Sequence, residues 1–337
     1  LIVHSLPMGE TMRVVCLAGG VGGAKLADGL AQVLQPGELT VVVNTGDDFE
    51  RHSLAIWPDH DTVLYTLAGM ADPAQGWGIE GESWHVMDQL ASMGEATWFR
   101  LGDRDIATHL YRTDRLRRGV RPTEVALELA AALGVRSIVL PMTDQPVRTR
   151  VRTDEGWLDF QDYFVRLRQE PAVREVAYGG AQLAAATAEV EAAIAEAEAI
   201  VVAPSNPIVS IGPILAVPGV LEAIREVRER GVPSVGVSGI VGGKALRGPA
   251  DKMLTSLGEE SSALGVARRY AAAGVLDGLV IDDQDSRHAP SIESLGLETL
   301  ATATIMTDKA SRGALANRVL DFARAIASHR SAEAGTE

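Results

Sequence analysis

The sequence predicts an α/β protein: a doubly wound, mostly parallel Rossmann-like sheet with an inserted α+β part. Three observations predict it. Short apolar runs recur along the chain, each followed by a stretch whose apolar residues fall at helical spacing. The runs lack polar alternation, as strands buried on both faces do. A glycine-rich turn, "AGGVGG" at 18–23, joins the first run to the first helix.

Taken in order, residues 12–17 read as a strand, and Leu26, Leu30, Val33 and Leu34 form the stripe of the helix behind the turn. "ELTVVVN" (38–44) is a β-branched strand. "TVLYTLAGM" (62–70) is helical behind Asp61, "TWFRL" (97–101) reads as a short strand, and the arginine-rich stretch 103–118 as a helix. "PTEVALELAAALG" (122–134) carries Pro122 near its start and Gly134 at its end, the asymmetry of a helix. "SIVLP" (137–141) is a strand, and "RTRVRTDEGWLDF" (148–160) alternates and turns at Asp154-Glu155-Gly156, a hairpin. Helix 183–198, strand 199–204, helix 219–230, strand 234–239, helix 261–273, strand 277–282 and helix 309–327 complete the alternation. One domain over 12–330 is expected, with the inserted α+β part at roughly 70–180. Residues 1–11 lack the basic start and long apolar stretch of a signal peptide and read as a leader or loose extension.

The 337 residues are 46% hydrophobic and 23% charged, ordinary for a globular enzyme. A net charge of −14 argues against a general nucleic-acid or membrane-surface binder. An anionic substrate would have to be held by local groups or a metal. The single cysteine, Cys16, falls within the first strand and reads as a small buried hydrophobe, which excludes an intrachain disulfide or a zinc knuckle and fits a reducing cytoplasm. No apolar stretch is long enough to span a bilayer.

Chemistry concentrates just past the strand ends, where a doubly wound fold places its site. In the first turn Gly20, Gly22 and Gly23 can let backbone amides approach an anion at the helix N-terminus. The turn is not a Walker loop, and Lys25 stands where the third glycine of G-x-G-x-x-G belongs. "NTGDD" (44–48) sets Asn44, Asp47 and Asp48 behind a buried strand, suited to a hard cation such as magnesium or to a capping turn. In "PDHDTVLY" (58–65) Asp61 stands where a helix N-cap belongs. "SNPIVSIGPIL" (205–215) pins Ser205 and Asn206 between Pro204 and Pro207, either to read a base edge or ribose or as a rigid turn. "RLGDRDIATH" (100–109) mixes Arg100, Asp103, Arg104 and Asp105, and "GIVGGKALRGPADKML" (239–254) brings Gly242, Gly243, Lys244, Arg247 and Lys252 together as a second anion loop or a flexible connection.

Together, "LAGGVGGAKLADGL", "VVVNTGDDF", "PDHDTVLY", "WFRLGDRDIATHL", "APSNPIVSIGPILAVPG" and "VGGKALRGPADKML" closely resemble the 2-phospho-L-lactate transferase family (CofD/FbiA) of coenzyme F420 biosynthesis, from Met12 to the last helix. The resemblance implies transfer of a phospholactyl or phosphoenolpyruvyl group from a guanosine diphosphate ester to the ribityl hydroxyl of the deazaflavin Fo, releasing GMP with Mg2+ required. It implies that Asp61 and Arg100 contact Fo, and that Gly20, Gly22, Gly23, Asn44, Ser205 and Asn206 lie in the nucleotide-contacting segments. Asp61 can orient the attacking hydroxyl or ligate metal. Independently of the resemblance, Asp48 is expected as a further metal ligand from its acidic neighbours. A cytoplasmic homodimer is expected. Trp77 and Trp84 can face the deazaflavin or pack in the core. Two other readings compete. A YvcK-like regulator would bind a nucleotide sugar without transfer. A nicotinamide dehydrogenase would need an acid about 20 positions beyond the glycine turn, near Glu38 or Asp47, behind an intact glycine motif.

Overall fold

A computed structural model describes residues 12–334; the leader reading of 1–11 lies outside the described residues. Seven strands form the central sheet: β1 (Val14–Ala18), β2 (Leu39–Val43), β3 (Ile138–Pro141), β4 (Ala199–Val202), β5 (Ser234–Val237), β6 (Gly278–Asp282) and β7 (Glu298–Thr302). All neighbours pair in parallel, in the spatial order β3-β2-β1-β4-β5-β6-β7. This is the order of dinucleotide-binding sheets, in which the winding reverses between β1 and β4 and opens a crevice at their carboxyl ends.

Successive residues of β1 serve opposite cores, as the period of two requires. Val15 and Leu17 pack on the side of the helices Val220–Glu229 and Ala263–Ala273. Val14, Cys16 and Ala18 face α1 (Gly20–Val33) and the closing helix Lys309–Ala334. Burial of both faces accounts for the uninterrupted apolar runs. Cys16 is fully buried, and burial pushes its thiol up to about 12, as its reading as a core hydrophobe requires.

The structure departs from the expected elements in four places. Residues 97–101 form no strand: they pack side chains on the hairpin strand Phe49–Arg51, with the Phe99 and Phe49 ring centroids 4.8 Å apart, but pair no backbone ladder with it, and Trp98, Phe99 and Leu101 line a cavity. The half-buried edge strand β7 ("ETLAT") lacks the apolar run that marks the others. The helix expected from 183 begins at Ala188, where the Thr187 side chain accepts the Val190 amide at 3.2 Å as N-cap. Finally, Ile138–Pro141 lies inside the stretch 70–180 yet pairs with β2 in the central sheet. The added material therefore comes in two pieces. The piece between β2 and β3 carries the hairpin Phe49–Arg51 with Leu54–Ile56, α2 (Pro58–Leu67), the helices His85–Ser92 and Pro122–Ala132, and, between those two, α3 (Asp103–Arg117). The piece between β3 and β4 carries an antiparallel sheet of Arg148–Thr153 flanked by Gly156–Asp159 and Glu175–Gly179. Both pieces reach over the β1–β4 crevice.

Candidate active site

A cavity of about 580 Å³ opens at the carboxyl ends of β1 and β4. Its polar wall is the β1–α1 turn (Gly19, Gly20, Gly22), the turn after β4 (Ser205, Asn206, Ser210) and the carboxylates Asp47, Asp59 and Asp61. Trp77, Trp98, Phe99, Phe160 and Phe164 from the two added pieces line it too, as do Arg100 and Arg247. The lining combines charged groups with flat apolar rings, and the volume is within the size range of small-molecule sites.

The glycines are used mainly for close approach. A Cβ on Gly22 would strike the Pro204 carbonyl oxygen, and one on Gly23 would lie 2.5 Å from Ser205 Oγ. Ser205 Oγ accepts the Gly19 amide at 3.1 Å and donates to the Gly19 carbonyl at 2.8 Å, clamping the two turns together. Gly23 is buried behind the turn and does not line the cavity. Gly20 adopts φ +60°, a conformation that favours glycine. The Asp59 carboxylate stands close by, where a Cβ on Gly19 would strike its Oδ2, so a side chain of the protein already faces this helix N-terminus. Asn206 accepts the Ile208 amide at 2.9 Å, which makes it the rigid turn that the flanking prolines allowed, with its amide group at the cavity.

Asn44 is fully buried and stands behind the wall. Its Nδ2 donates to Asp59 Oδ2 at 2.9 Å and to the Val209 carbonyl at 3.2 Å, and its Oδ1 accepts the Gly46 amide at 2.8 Å. Asn44 thus holds Asp59 in place. Burial pushes Asp59 up to about 6 against these hydrogen bonds. Asp47 and Asp48 are raised well above the usual carboxylate range, first by burial, with the charge of Asp59 contributing to both. Asp47 Oδ1 and Asp48 Oδ1 are buried without a hydrogen-bond partner. Asp48 is buried beside the cavity rather than on its wall.

Asp61 is not the N-cap of α2. That helix begins earlier, with Trp57 at the cap and Pro58 in its first turn, so Asp61 points inward from the first turn. There it meets Arg112 of α3, a fully buried arginine that sequence reasoning missed. Arg112 Nη1 donates to Asp61 Oδ2 at 3.0 Å, Nη2 donates to Asp61 Oδ1, and the guanidinium lies 4.4 Å from the Trp57 ring centroid. Burial would raise the Asp61 carboxyl, but the charge of Arg112 outweighs it and holds the group well below the usual range. Asp61, Asp105 and His109 place ligand atoms within 4.8 Å of one another, a set able to hold a metal ion. Arg112 Nη1, however, already lies 3.0 Å from His109 Nδ1 and bonds Asp61. Asp105 accepts the Tyr65 hydroxyl at 2.6 Å.

Arg100 lines the cavity and stacks over Trp84, 4.0 Å from the ring centroid. Trp77 faces the cavity, whereas Trp84 supports Arg100 from outside the cavity wall. Of the glycine- and base-rich stretch 239–254, Arg247, Gly248 and Pro249 reach the cavity. The Gly242 amide is taken by Asp285 Oδ2 at 2.9 Å.

Comparison with known proteins gives a consistent result. The family model for 2-phospho-L-lactate transferase CofD matches residues 14–310. A phosphoenolpyruvate transferase from Streptomyces griseus is 43% identical, covering 94% of this chain and 99% of that protein. One from Streptomyces coelicolor is 42% identical over the same shares, and one from Mycobacterium avium is 41% identical, covering 93% and 99%. Among solved structures, a UPF0052 family protein from Bacillus halodurans superposes with a TM-score of 0.63 at 14% identity, covering 92% of this chain and 99% of that chain. At that identity the likeness establishes the shared α/β fold. No helix among the described residues is long and apolar enough to cross a membrane.

Proposed function

Because the chain belongs to the 2-phospho-L-lactate transferase family and is a transferase, we propose that it acts in coenzyme F420 biosynthesis. It moves a phosphoenolpyruvyl group from a guanosine diphosphate ester to the terminal ribityl hydroxyl of Fo, releasing GMP. The names of the relatives favour phosphoenolpyruvyl over phospholactyl as the donor group. The observation that carries the reading is the mixed lining of the cavity. Its aromatic rings suit a planar deazaflavin, and its glycine turn and buried carboxylates suit a nucleotide with a metal ion.

Phosphoryl transfer depends on positioning and charge neutralisation more than on covalent help from the protein. The aromatic lining takes the deazaflavin ring, with Arg100 held over Trp84 at its edge. Asp61, kept ionised by Arg112, orients the ribityl hydroxyl. The hydroxyl oxygen bonds to the distal phosphorus, the bond from that phosphorus to the bridging oxygen breaks, and GMP leaves with the electron pair. A carboxylate raised toward neutral pH is the better proton acceptor, which favours Asp59 over Asp61 for that role. Asn206 and the Gly20–Gly22 turn receive the nucleotide. Gly23, Ser205 and Asn44 act through others, by locking the turn and holding Asp59.

Magnesium fits the site on its chemistry. The unpartnered oxygens of Asp47 and Asp48 are hard donors of the kind the ion prefers. They would meet it as single ligands, since the set of three that converges within 4.8 Å among the described residues is Asp61, Asp105 and His109, where Arg112 engages Asp61. Bound there, the ion would neutralise charge developing on the phosphate oxygens. The protein enters this chemistry as a homodimer in the cytoplasm. The test is direct: incubate the protein with Fo and either donor in separate tubes and weigh the product by mass spectrometry. A deazaflavin phosphodiester with GMP release is expected from the phosphoenolpyruvyl donor. No adduct from either donor, with tight binding of a uridine nucleotide sugar, overturns the reading.

A further inference from the structure

Among the described residues, the positive charge of Arg247 at the cavity pairs with no carboxylate. Asp47, Asp59 and Asp61 line the cavity, and when ionised they would repel a diphosphate. The Asp59 carboxylate also stands at the Gly20 end of α1, the usual helix-terminal place for an anion. A fixed cation of the chain would therefore add to a metal ion in neutralising an anion here. Arg247 is a permanent cation lining the cavity, and among the described residues no carboxylate lies in ion-pair range of it. Its Nη2 donates to the Ala74 carbonyl at 3.1 Å, which ties the loop after β5 to the segment that carries Trp77. Gly248 follows at φ +74°, a turn that leaves the arginine exposed at the mouth.

A second cation stands close behind. Lys25 lies one turn of α1 beyond Val21, which lines the cavity, and its Nζ donates to the Met306 carbonyl at 2.9 Å. Burial, then the charges of Arg312 and Arg247, push this ammonium down, so Arg247 is near enough to act on it. Arg312 is already paired, with Asp28 at 3.0 Å. Arg247 and Lys25 thus repel one another, and among the described residues neither forms an ion pair, in a protein of net charge −14. Uncompensated like charge of this kind at a cavity mouth favours an anion.

We propose that Arg247 is the residue that receives the diphosphate of the donor, its planar fork matching phosphate oxygens, with Lys25 deepening the field behind it. This rests on the transfer reading for the identity of the donor but not for the chemistry of the subsite. The experiment is titration calorimetry at fixed Mg2+ on wild type, Arg247→Met and Arg247→Lys, with GDP, guanosine and inorganic pyrophosphate as separate probes. Arg247→Met is expected to weaken GDP and pyrophosphate by about ten- to a hundredfold, the loss of a charge-assisted hydrogen-bonded contact, while guanosine is unchanged. Arg247→Lys should recover part of the loss. Pyrophosphate carries neither guanine nor Fo. If wild type binds pyrophosphate in an Arg247-dependent way but yields no F420 precursor, the transfer reading fails and the subsite stands. GDP and pyrophosphate affinities in Arg247→Met unchanged from wild type, an equal loss of guanosine, or no binding of either anion by wild type overturns the proposal.

Discussion

Replacing Asp61 with asparagine would be nearly silent for stability if the residue were a helix cap, because the two cap about equally well. The structure predicts a large effect instead. Asp61 is 5% exposed and faces Arg112, which is 0% exposed and bonds both carboxylate oxygens. Removing one charge of such a pair leaves the other buried and uncompensated, which costs about 3–5 kcal/mol. For a chain of this length that corresponds to a fall in Tm of about 4–7 °C. Arg112→Met should cost a similar amount, and the double variant should recover part of the sum, because Trp57 packs equally well on an apolar side chain. The pH dependence has a definite sign. Asp61 is depressed in the folded state, so its contribution is complete above the ordinary carboxylate range and is lost as pH falls below about 4. Calorimetric unfolding of wild type, both single variants and the double variant at pH 7 and pH 3.5 measures all of this. An Asp61→Asn variant within about 0.5 kcal/mol of wild type, or strictly additive single effects, would refute the buried pair.

Three other outcomes are expected. A chelator should abolish turnover and magnesium should restore it, since unpartnered buried carboxylate oxygens call for a cation; full turnover in excess chelator counts against the metal. Gly22→Ala should lower stability by about 1–3 kcal/mol because its Cβ meets the Pro204 backbone. Gly313→Ala, whose nearest neighbour is the flexible end of Gln32 at 3.3 Å, should raise stability by up to about 1 kcal/mol; thermal melts of the pair check the opposite signs. The Cys16 thiol, pushed up to about 12 by burial, should resist an aromatic disulfide reagent at pH 8 until the protein unfolds. Its contribution to stability is complete below pH about 9 and declines as pH rises toward 12, a slope that Cys16→Ala should remove.

Much of the molecule is written in short-range pattern. The strands β1, β2, β4, β5 and β6 announce themselves by apolar runs, and the turn at Gly19–Gly23 by composition, because periodicity and backbone freedom are properties of neighbouring residues. The same locality explains what was misplaced. "TWFRL" has the composition of a strand, but a strand needs a backbone partner, and the adjacent Phe49–Arg51 pairs with Leu54–Ile56 and meets it through side chains. "ETLAT" lacks the run but finds a partner in β6. The motifs also marked Asp61, Arg100 and the Ser205–Asn206 turn as site residues, and the fold brings them to one cavity.

Which of these side chains is free to act was decided by residues far away in the chain. Arg112 reads in sequence as one more arginine on a solvated helix; burial against Trp57 and Asp61, 51 positions earlier, makes it the group that sets the charge of Asp61. In "PDHDTVLY" the pattern singles out Asp61, yet Asn44 fixes Asp59 at the helix N-terminus that the glycines advertised for a phosphate. Phe160 and Phe164 join Trp98 and Phe99 in the cavity lining from a separate piece of chain. Of five glycine and basic residues singled out at 242–252, tertiary packing turned Arg247 to the cavity and gave the Gly242 amide to Asp285. A sequence sets the local conformation and the chemical type of each residue; desolvation and ion pairing depend on what the fold packs against it, and those two terms determine protonation, partner and role.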